Sequence, residues 1–134
     1  MENELEVIFA NKQLRLTEPR KVVFRQLHSA TTPLSIANIA SKCPSIDRVS
    51  IYRTIELFQQ LDIVRPLPLG WKHLYELTSP FKAHHHHLSC TVCGRLIDVH
   101  SKKFEQIVAS VAKEYEFAPQ DHTFEIKGVC RDCR

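Results

Sequence analysis

Apolar residues recur at helical spacing through the first sixty positions of the chain and at strand spacing just after them. Leu5, Ile8 and Phe9 line one side of a short helix over residues 3–11. Thr17 caps a second helix, and Pro19 fits its first turn, where a missing N–H is harmless. Val23, Leu27 and Ala30 continue that stripe. After a break at Thr31-Thr32-Pro33, Ser35 caps a third helix, with Ile36, Ile39, Ala40 and Cys43 at i, i+3, i+4 and i+7; Pro44 ends it. A fourth helix, Asp47 to Leu61, buries Ile51, Ile55 and Phe58. It turns Ser50, Arg53 and Thr54 outward, with Tyr52 at the flank. Ile63-Val64-Arg65-Pro66 and His73-Leu74-Tyr75-Glu76-Leu77 read as two strands joined around Leu69-Gly70. Three packed helices followed by a hairpin outline a winged helix-turn-helix, a fold whose last helix enters the major groove. The polar face of the fourth helix fits that role, and fits an ordinary solvated surface equally well.

Thr78-Ser79-Pro80-Phe81-Lys82-Ala83 clusters turn-forming residues between two periodic regions and reads as a hinge. Beyond it, His85-to-Cys90 and Arg95-to-Val99 resemble strands flanking a Cys-x-x-Cys-Gly turn. Phe104, Ile107, Val108, Val111, Ala112 and Tyr115 follow helical spacing, and a final strand over His122 to Lys127 delivers the chain to Cys130. This half is too small to cover its own apolar surface, so it is expected to pair with a second copy of itself. The fold class expected is α+β: a winged helix-turn-helix domain over residues 1–77, a hinge over 78–83, and a small α/β dimerisation domain over 84–134.

Composition narrows the setting. Among 134 residues, 43% are apolar, which suits a folded chain, and no run approaches the ~18 apolar residues of a membrane span. The opening Met1-Glu2-Asn3-Glu4 is acidic and lacks the basic-then-apolar order of an export signal, so the chain is expected in the cytosol. There, paired cysteines hold metal more often than they form disulfides. A net charge of +3 permits nucleic-acid binding without demanding it.

The chemistry concentrates in His84-His85-His86-His87-Leu88-Ser89-Cys90-Thr91-Val92-Cys93-Gly94. Cys90 and Cys93, with Cys130 and Cys133, make two Cys-x-x-Cys pairs that match a tetrahedral structural zinc site; a redox dithiol and disulfides are the alternatives. Cys43 falls at a core position of the third helix and reads as a buried thiol. In a strand, alternate residues point to opposite faces, so His85 and His87 separate from His84 and His86. That geometry suits two sites, one gathering Glu76, His85, His87 and Asp98, the other His84, His86, Glu105 and His122. His28, His73 and His100 read as ordinary surface or core residues. Catalysis fits poorly: a zinc deaminase would show His-x-Glu followed by Pro-Cys-x-x-Cys, whereas Ser89 precedes Cys90 and no His-x-Glu occurs.

With these elements in order, the chain resembles the ferric uptake regulator superfamily of metal-dependent bacterial transcription factors. The likeness rests on Leu16-Thr17-Glu18-Pro19-Arg20, Ser50-Ile51-Tyr52-Arg53-Thr54, Tyr75-Glu76-Leu77, the His84-to-Cys93 block and the closing cysteine pair. The resemblance implies a homodimer that binds a palindromic, A·T-rich double-stranded operator and represses in response to metal. It implies that Ser50, Tyr52, Arg53 and Thr54 lie on the recognition helix, with Tyr52 and Arg53 at bases or phosphate. It also implies Arg15 in the minor groove and Arg20 holding backbone. Cys90, Cys93, Cys130 and Cys133 match the structural Zn²⁺ site; Glu76, His85, His87 and Asp98 match the regulatory site; His84, His86, Glu105 and His122 match an additional site.

Two departures bear on the metal. Many members add a histidine to the regulatory site from just before the third helix, where this chain has Thr32-Pro33-Leu34, and His86 stands where aspartate is frequent. Four ligands satisfy tetrahedral Zn²⁺, whereas Fe²⁺ and Mn²⁺ usually take more. The expectation is therefore a zinc-uptake regulator. The alternatives are an iron-uptake regulator, an Fe²⁺-dependent peroxide sensor (Asp98 stands where such relatives carry aspartate), Mn²⁺ as the regulatory ion, and a constitutive structural-zinc module that binds DNA or protein.

Overall fold

The computed structural model describes residues 1–69 and 72–134, and its contacts fall into two units, Met1–Ala83 and His84–Arg134. The fold is α+β. Four helices open the first unit: α1 (Glu2–Asn11), α2 (Glu18–Ser29), α3 (Ile36–Lys42) and α4 (Arg48–Gln60). They are followed by an antiparallel pair, β1 (Val64–Leu69) and β2 (Lys72–Leu77). The expected junction at Gly70 lies outside the described residues. Leu34 and Tyr75 exchange backbone hydrogen bonds of 3.0 and 2.8 Å, which fasten the strand-like entry to α3 along β2. No helix among the described residues is long and apolar enough to cross a membrane.

Local chemistry accounts for the helix starts. Ser35 and Asn38 form a reciprocal capping box at α3, and Asp47 accepts the Ser50 N–H at 2.9 Å at the start of α4. Thr17 occupies the cap position of α2, with Pro19 in the first turn, but makes no side-chain cap bond. The helix ends are less obvious. Gln13, Asp62 and Glu116, each just past a helix, adopt φ of 55°, 56° and 52°. The next N–H then reaches the carbonyl five residues back: Leu14 to Phe9, Ile63 to Phe58 and Phe117 to Ala112, at 2.9, 2.8 and 2.8 Å. Glycine usually fills that left-handed position, and here it fills none of the three.

The core of the first unit joins Leu5 and Phe9 of α1, Val23, Phe24 and Leu27 of α2, Ile39 of α3, and Ile51, Ile55 and Phe58 of α4. Phe9 meets Phe58 edge to face, with ring centroids 6.2 Å apart. One expectation fails here. Thr54 does not face outward; it is 4% exposed, and its Oγ1 donates to the Ser50 carbonyl at 2.8 Å. With Ile51, Ile55 and Phe58 it completes an i, i+3, i+4, i+7 row, so the helix period places it in the core. The stretch 78–83 also packs within the first unit: Thr78 N–H donates to the Ile63 carbonyl at 2.9 Å, and buried Phe81 meets Phe24 with centroids 4.9 Å apart.

The second unit is a three-stranded sheet ordered β4–β3–β5, from β3 (His86–Cys90), β4 (Leu96–Val99) and β5 (Glu125–Gly128), with α5 (Lys102–Glu114) between β4 and β5. β3 runs antiparallel to β4 and parallel to β5. β5 is shorter than the expected 122–127 strand. No residue of α5 is buried within the chain, and Ile107, Val111 and Tyr115 of its apolar stripe stay exposed. Phe58→Ala should lower the free energy of unfolding of the first unit by about 3–5 kcal/mol in chemical denaturation, whereas Tyr52→Ala on the outer face of α4 should change it by less than about 0.5 kcal/mol.

Candidate metal centres

The four thiols of Cys90, Cys93, Cys130 and Cys133 converge in the second unit, their sulfurs all within 4.8 Å of one another. Cys90 ends β3, Cys93 lies in the turn to β4, and Cys130 and Cys133 follow β5, so the cluster gathers the same end of all three strands. Gly94 closes that turn with φ of 74°, a conformation that suits glycine. A tetrahedral ion with bonds of about 2.3 Å holds its sulfurs about 3.8 Å apart; Cys93 Sγ and Cys130 Sγ are 3.8 Å apart. The Cys90 sulfur also receives the backbone N–H groups of Cys93 (3.5 Å) and Cys130 (3.4 Å). Those donors favour the thiolate and bring its pKa down to about 6. The Cys133 pKa is pushed up to about 12 because its proton is shared with Cys130 and Cys93. Four crowded sulfurs do not all ionise on their own, so the set calls for a cation.

A second cluster stands where β3, α5 and the segment before β5 meet. His86 Nε2 lies 2.9 Å from Glu105 Oε1, His122 Nε2 3.1 Å from Glu105 Oε2, and His84 Nε2 3.3 Å from Glu105 Oε1. His84 and His122 turn their Nε2 atoms toward each other at 3.1 Å. Metal bonds of about 2.0–2.1 Å separate neighbouring ligands by about 3.3–3.4 Å in a tetrahedron, close to this spacing. Hydrogen bonds to His86 first, then to His122, hold the Glu105 carboxyl below its usual range. Phe104 and Phe124 each place a ring 5.3 Å from the His86 ring.

The alternate residues turn the other way. His85 Nε2 and His87 Nε2 are 3.1 Å apart, and Asp98 Oδ1, opposite His87 in the β3–β4 ladder, lies 3.8 and 3.5 Å from them. Three donors from one unit leave a tetrahedral ion one ligand short. The His100 ring also lies near His85, centroids 5.8 Å apart.

Glu76 belongs to the first unit, on β2, and is 3% exposed. Arg65, its direct cross-strand partner, reaches Oε1 with Nε at 2.8 Å and Nη2 at 2.6 Å; Lys82 Nζ lies 2.9 Å from Oε2. Neither cation was singled out in the sequence. Arg65 was legible in principle, since pairing the two strands from Val64 and Leu77 sets it opposite Glu76.

Among the residues assigned to DNA, Tyr52 and Arg53 project from α4 into solvent, and Arg15 is exposed on the loop before α2. The Ser50 hydroxyl is engaged with Asp47 Oδ2 at 2.6 Å, so it serves the helix cap. Thr54, being buried, presents nothing outward. The Arg20 guanidinium donates to the Arg15 carbonyl and lies 5.7 Å from the Phe9 ring centroid, which fastens the loop that carries Arg15.

A family model described as the Ferric uptake regulator family matches residues 11–127. The chain is 33% identical over 129 residues to a Ferric uptake regulation protein of Campylobacter upsaliensis, an alignment covering 90% of this chain and 80% of that one. It is 29% identical over 142 residues to the Peroxide-responsive repressor PerR of Staphylococcus epidermidis, covering 100% of this chain and 93% of the relative. Its fold matches the Helicobacter pylori ferric uptake regulator, a structure reported to reveal three functional metal binding sites, with a TM-score of 0.83 at 23% identity over 98% and 89% of the two chains.

Zinc held by the four thiols should survive dialysis against chelator at neutral pH, where Cys90 is already a thiolate. As pH falls through about 6 even Cys90 takes up a proton in competition with the metal, so release should be steepest below that value. Metal analysis after dialysis at stepped pH measures this, and Cys93→Ser should lose the metal already at pH 7.

Proposed function

The chain belongs to the ferric uptake regulator family, and from that premise we propose that it is a metal-responsive DNA-binding repressor whose regulatory ion is held by Glu76, His85, His87 and Asp98. The observation that carries the reading is the three-donor set of His85, His87 and Asp98, which needs one more ligand for a tetrahedral ion. Glu76 is a buried carboxylate of the other unit, seven residues before that unit ends at Ala83. A divalent cation bound by the four supplies a link between the two units. Cys90, Cys93, Cys130 and Cys133 hold a separate structural Zn²⁺, and His84, His86, Glu105 and His122 form the additional site. Four ligands complete a tetrahedral Zn²⁺ site, whereas Fe²⁺ and Mn²⁺ usually take more, so Zn²⁺ is the regulatory ion proposed.

Tyr52 and Arg53 serve the major groove, the guanidinium offering paired donors to guanine or phosphate. Arg15 serves the minor groove, its loop steadied by Arg20. The exposed apolar stripe of α5 pairs with a second copy, which sets two α4 helices on a palindromic operator. The Glu76 link makes DNA binding conditional. Moving a population from 1:99 to 99:1 requires roughly 5.5 kcal/mol of preference for one arrangement, a range within reach of several coordinate bonds.

A second reading, Fe²⁺-dependent peroxide sensing, draws on Asp98 and on the full-length likeness to a staphylococcal peroxide-responsive repressor. Both readings are tested on an A·T-rich palindromic duplex selected from a random pool by the purified full-length protein. After chelation that spares the thiol-bound zinc, Zn²⁺, Fe²⁺ and Mn²⁺ are added back anaerobically at one fixed salt concentration, because phosphate contacts make affinity steeply salt-dependent. Zn²⁺ should restore binding at the lowest free concentration. Glu76→Ala should raise the zinc needed at least about tenfold, by loss of one ligand, and Arg53→Ala should abolish binding at any metal level. Restoration by Fe²⁺ that peroxide reverses would select the second reading. Equal affinity with and without metal would reject both in favour of a constitutive zinc module.

A further inference from the structure

Both oxygens of the Glu76 carboxylate are held by cations of its own unit. Arg65 takes Oε1 through two nitrogens, at 2.8 and 2.6 Å, and Lys82 takes Oε2 at 2.9 Å. The two cations differ in how firmly they are mounted. Arg65 lies directly across the β1–β2 ladder, so its position comes with the hairpin. Lys82 comes from the turn that follows β2, where its N–H donates to the Thr78 carbonyl at 3.0 Å, and its ammonium rides on a flexible four-carbon stem. We propose that Lys82 is a built-in competitor for the metal at Glu76: its ammonium holds Oε2 while Arg65 anchors Oε1, and the strength of that ion pair sets the metal level at which Glu76 becomes a ligand.

The inference rests on the reading of Glu76 as a regulatory ligand and adds what controls it. A divalent cation and an ammonium cannot share one carboxylate oxygen at contact distance without strong repulsion, the more so at a side chain only 3% exposed, where water screens little. Partners that accept protons or carry negative charge strengthen a metal ligand; a cation withdraws electron density from it and weakens it. Lys82, itself 29% exposed, has a low-cost alternative, because its ammonium can swing into water. Arg65 has a different part. Both of its nitrogens engage Oε1, so Oε2 is the oxygen that changes hands. Lys82 is thus a positioning residue that acts through Glu76, on the segment leading to the second unit.

The test is a Co²⁺ titration of the full-length protein with thiol-bound zinc retained, followed by the d–d absorption of bound cobalt. A Glu105→Ala background removes the additional site from the signal. Lys82→Met keeps the stem and deletes the charge, and should tighten Co²⁺ binding by about tenfold. Lys82→Arg should leave the affinity near the parent value. In a Glu76→Gln background, Lys82→Met should have no effect on affinity, a coupling that a general loosening of the fold would not produce. Unchanged or weaker Co²⁺ binding by Lys82→Met, while Glu76→Gln alone weakens it, overturns the competitor role and leaves Glu76 a ligand. If Glu76→Gln alone changes nothing, the ligand reading itself fails, and the competitor role with it.

Discussion

Successive side chains of an extended strand leave on opposite faces, and that single constraint organises the second unit. Laid along the entry to β3, four consecutive histidines cannot make one site. They make two, His84 and His86 toward Glu105 and His122, and His85 and His87 toward Asp98. A shift of one residue in the β3 register would exchange the two sets. The identity of each cluster therefore depends on something that fixes the register from outside the histidines.

The thiol cluster has the right position to do so. It takes its ligands from the end of β3, from the turn into β4 and from just past β5, so one knot joins one end of every strand in the sheet. Backbone bonds reinforce it: Cys90 N–H to the Arg95 carbonyl at 2.9 Å, and Thr91 N–H to the Gly128 carbonyl at 2.8 Å. The Arg95–Asp132 ion pair, at 2.6 Å, spans the same two loops at the exposed surface, where it is worth little by itself. A sheet of four- and five-residue strands, with a helix none of whose residues is buried, has little apolar core to hold its register. A cation coordinated by the four thiols would take over that task, as coordination does in other small domains.

Much of this was legible in the residues because the informative signals are local and periodic. Spacing of apolar positions locates the five helices of the described residues, Ser35 and Asp47 mark two helix starts, and strand alternation separates the histidines into two pairs. What escaped is equally specific. Thr54 looked polar and so outward, although its place in the row of Ile51, Ile55 and Phe58 is a core place, and a threonine there satisfies its hydroxyl on the carbonyl one turn back. The left-handed ends at Gln13, Asp62 and Glu116 carry no glycine to mark them. The 78–83 stretch reads as a link by composition, yet Phe81 gives it an apolar anchor in the first unit. For Thr54 and Phe81, burial in the first unit overrode a local preference.

The two glutamates assigned to metal differ in a way that stoichiometry alone conceals. Glu105 is surrounded by imidazoles, whose ring nitrogens can offer a lone pair to a cation. Glu76 is held by a guanidinium and an ammonium, which have no lone pair to offer at neutral pH and stay positive. An ion entering the first set gains three imidazole ligands beside the carboxylate. An ion that takes Glu76 must instead part a buried carboxylate from a permanent charge, and that charge has to find water. The first arrangement suits a site that fills readily; the second suits one that fills only above a threshold. Placing the costly carboxylate in the first unit, and the three converging donors His85, His87 and Asp98 in the other, puts the threshold on the one ligand whose capture would, in the proposed function, tie metal to DNA.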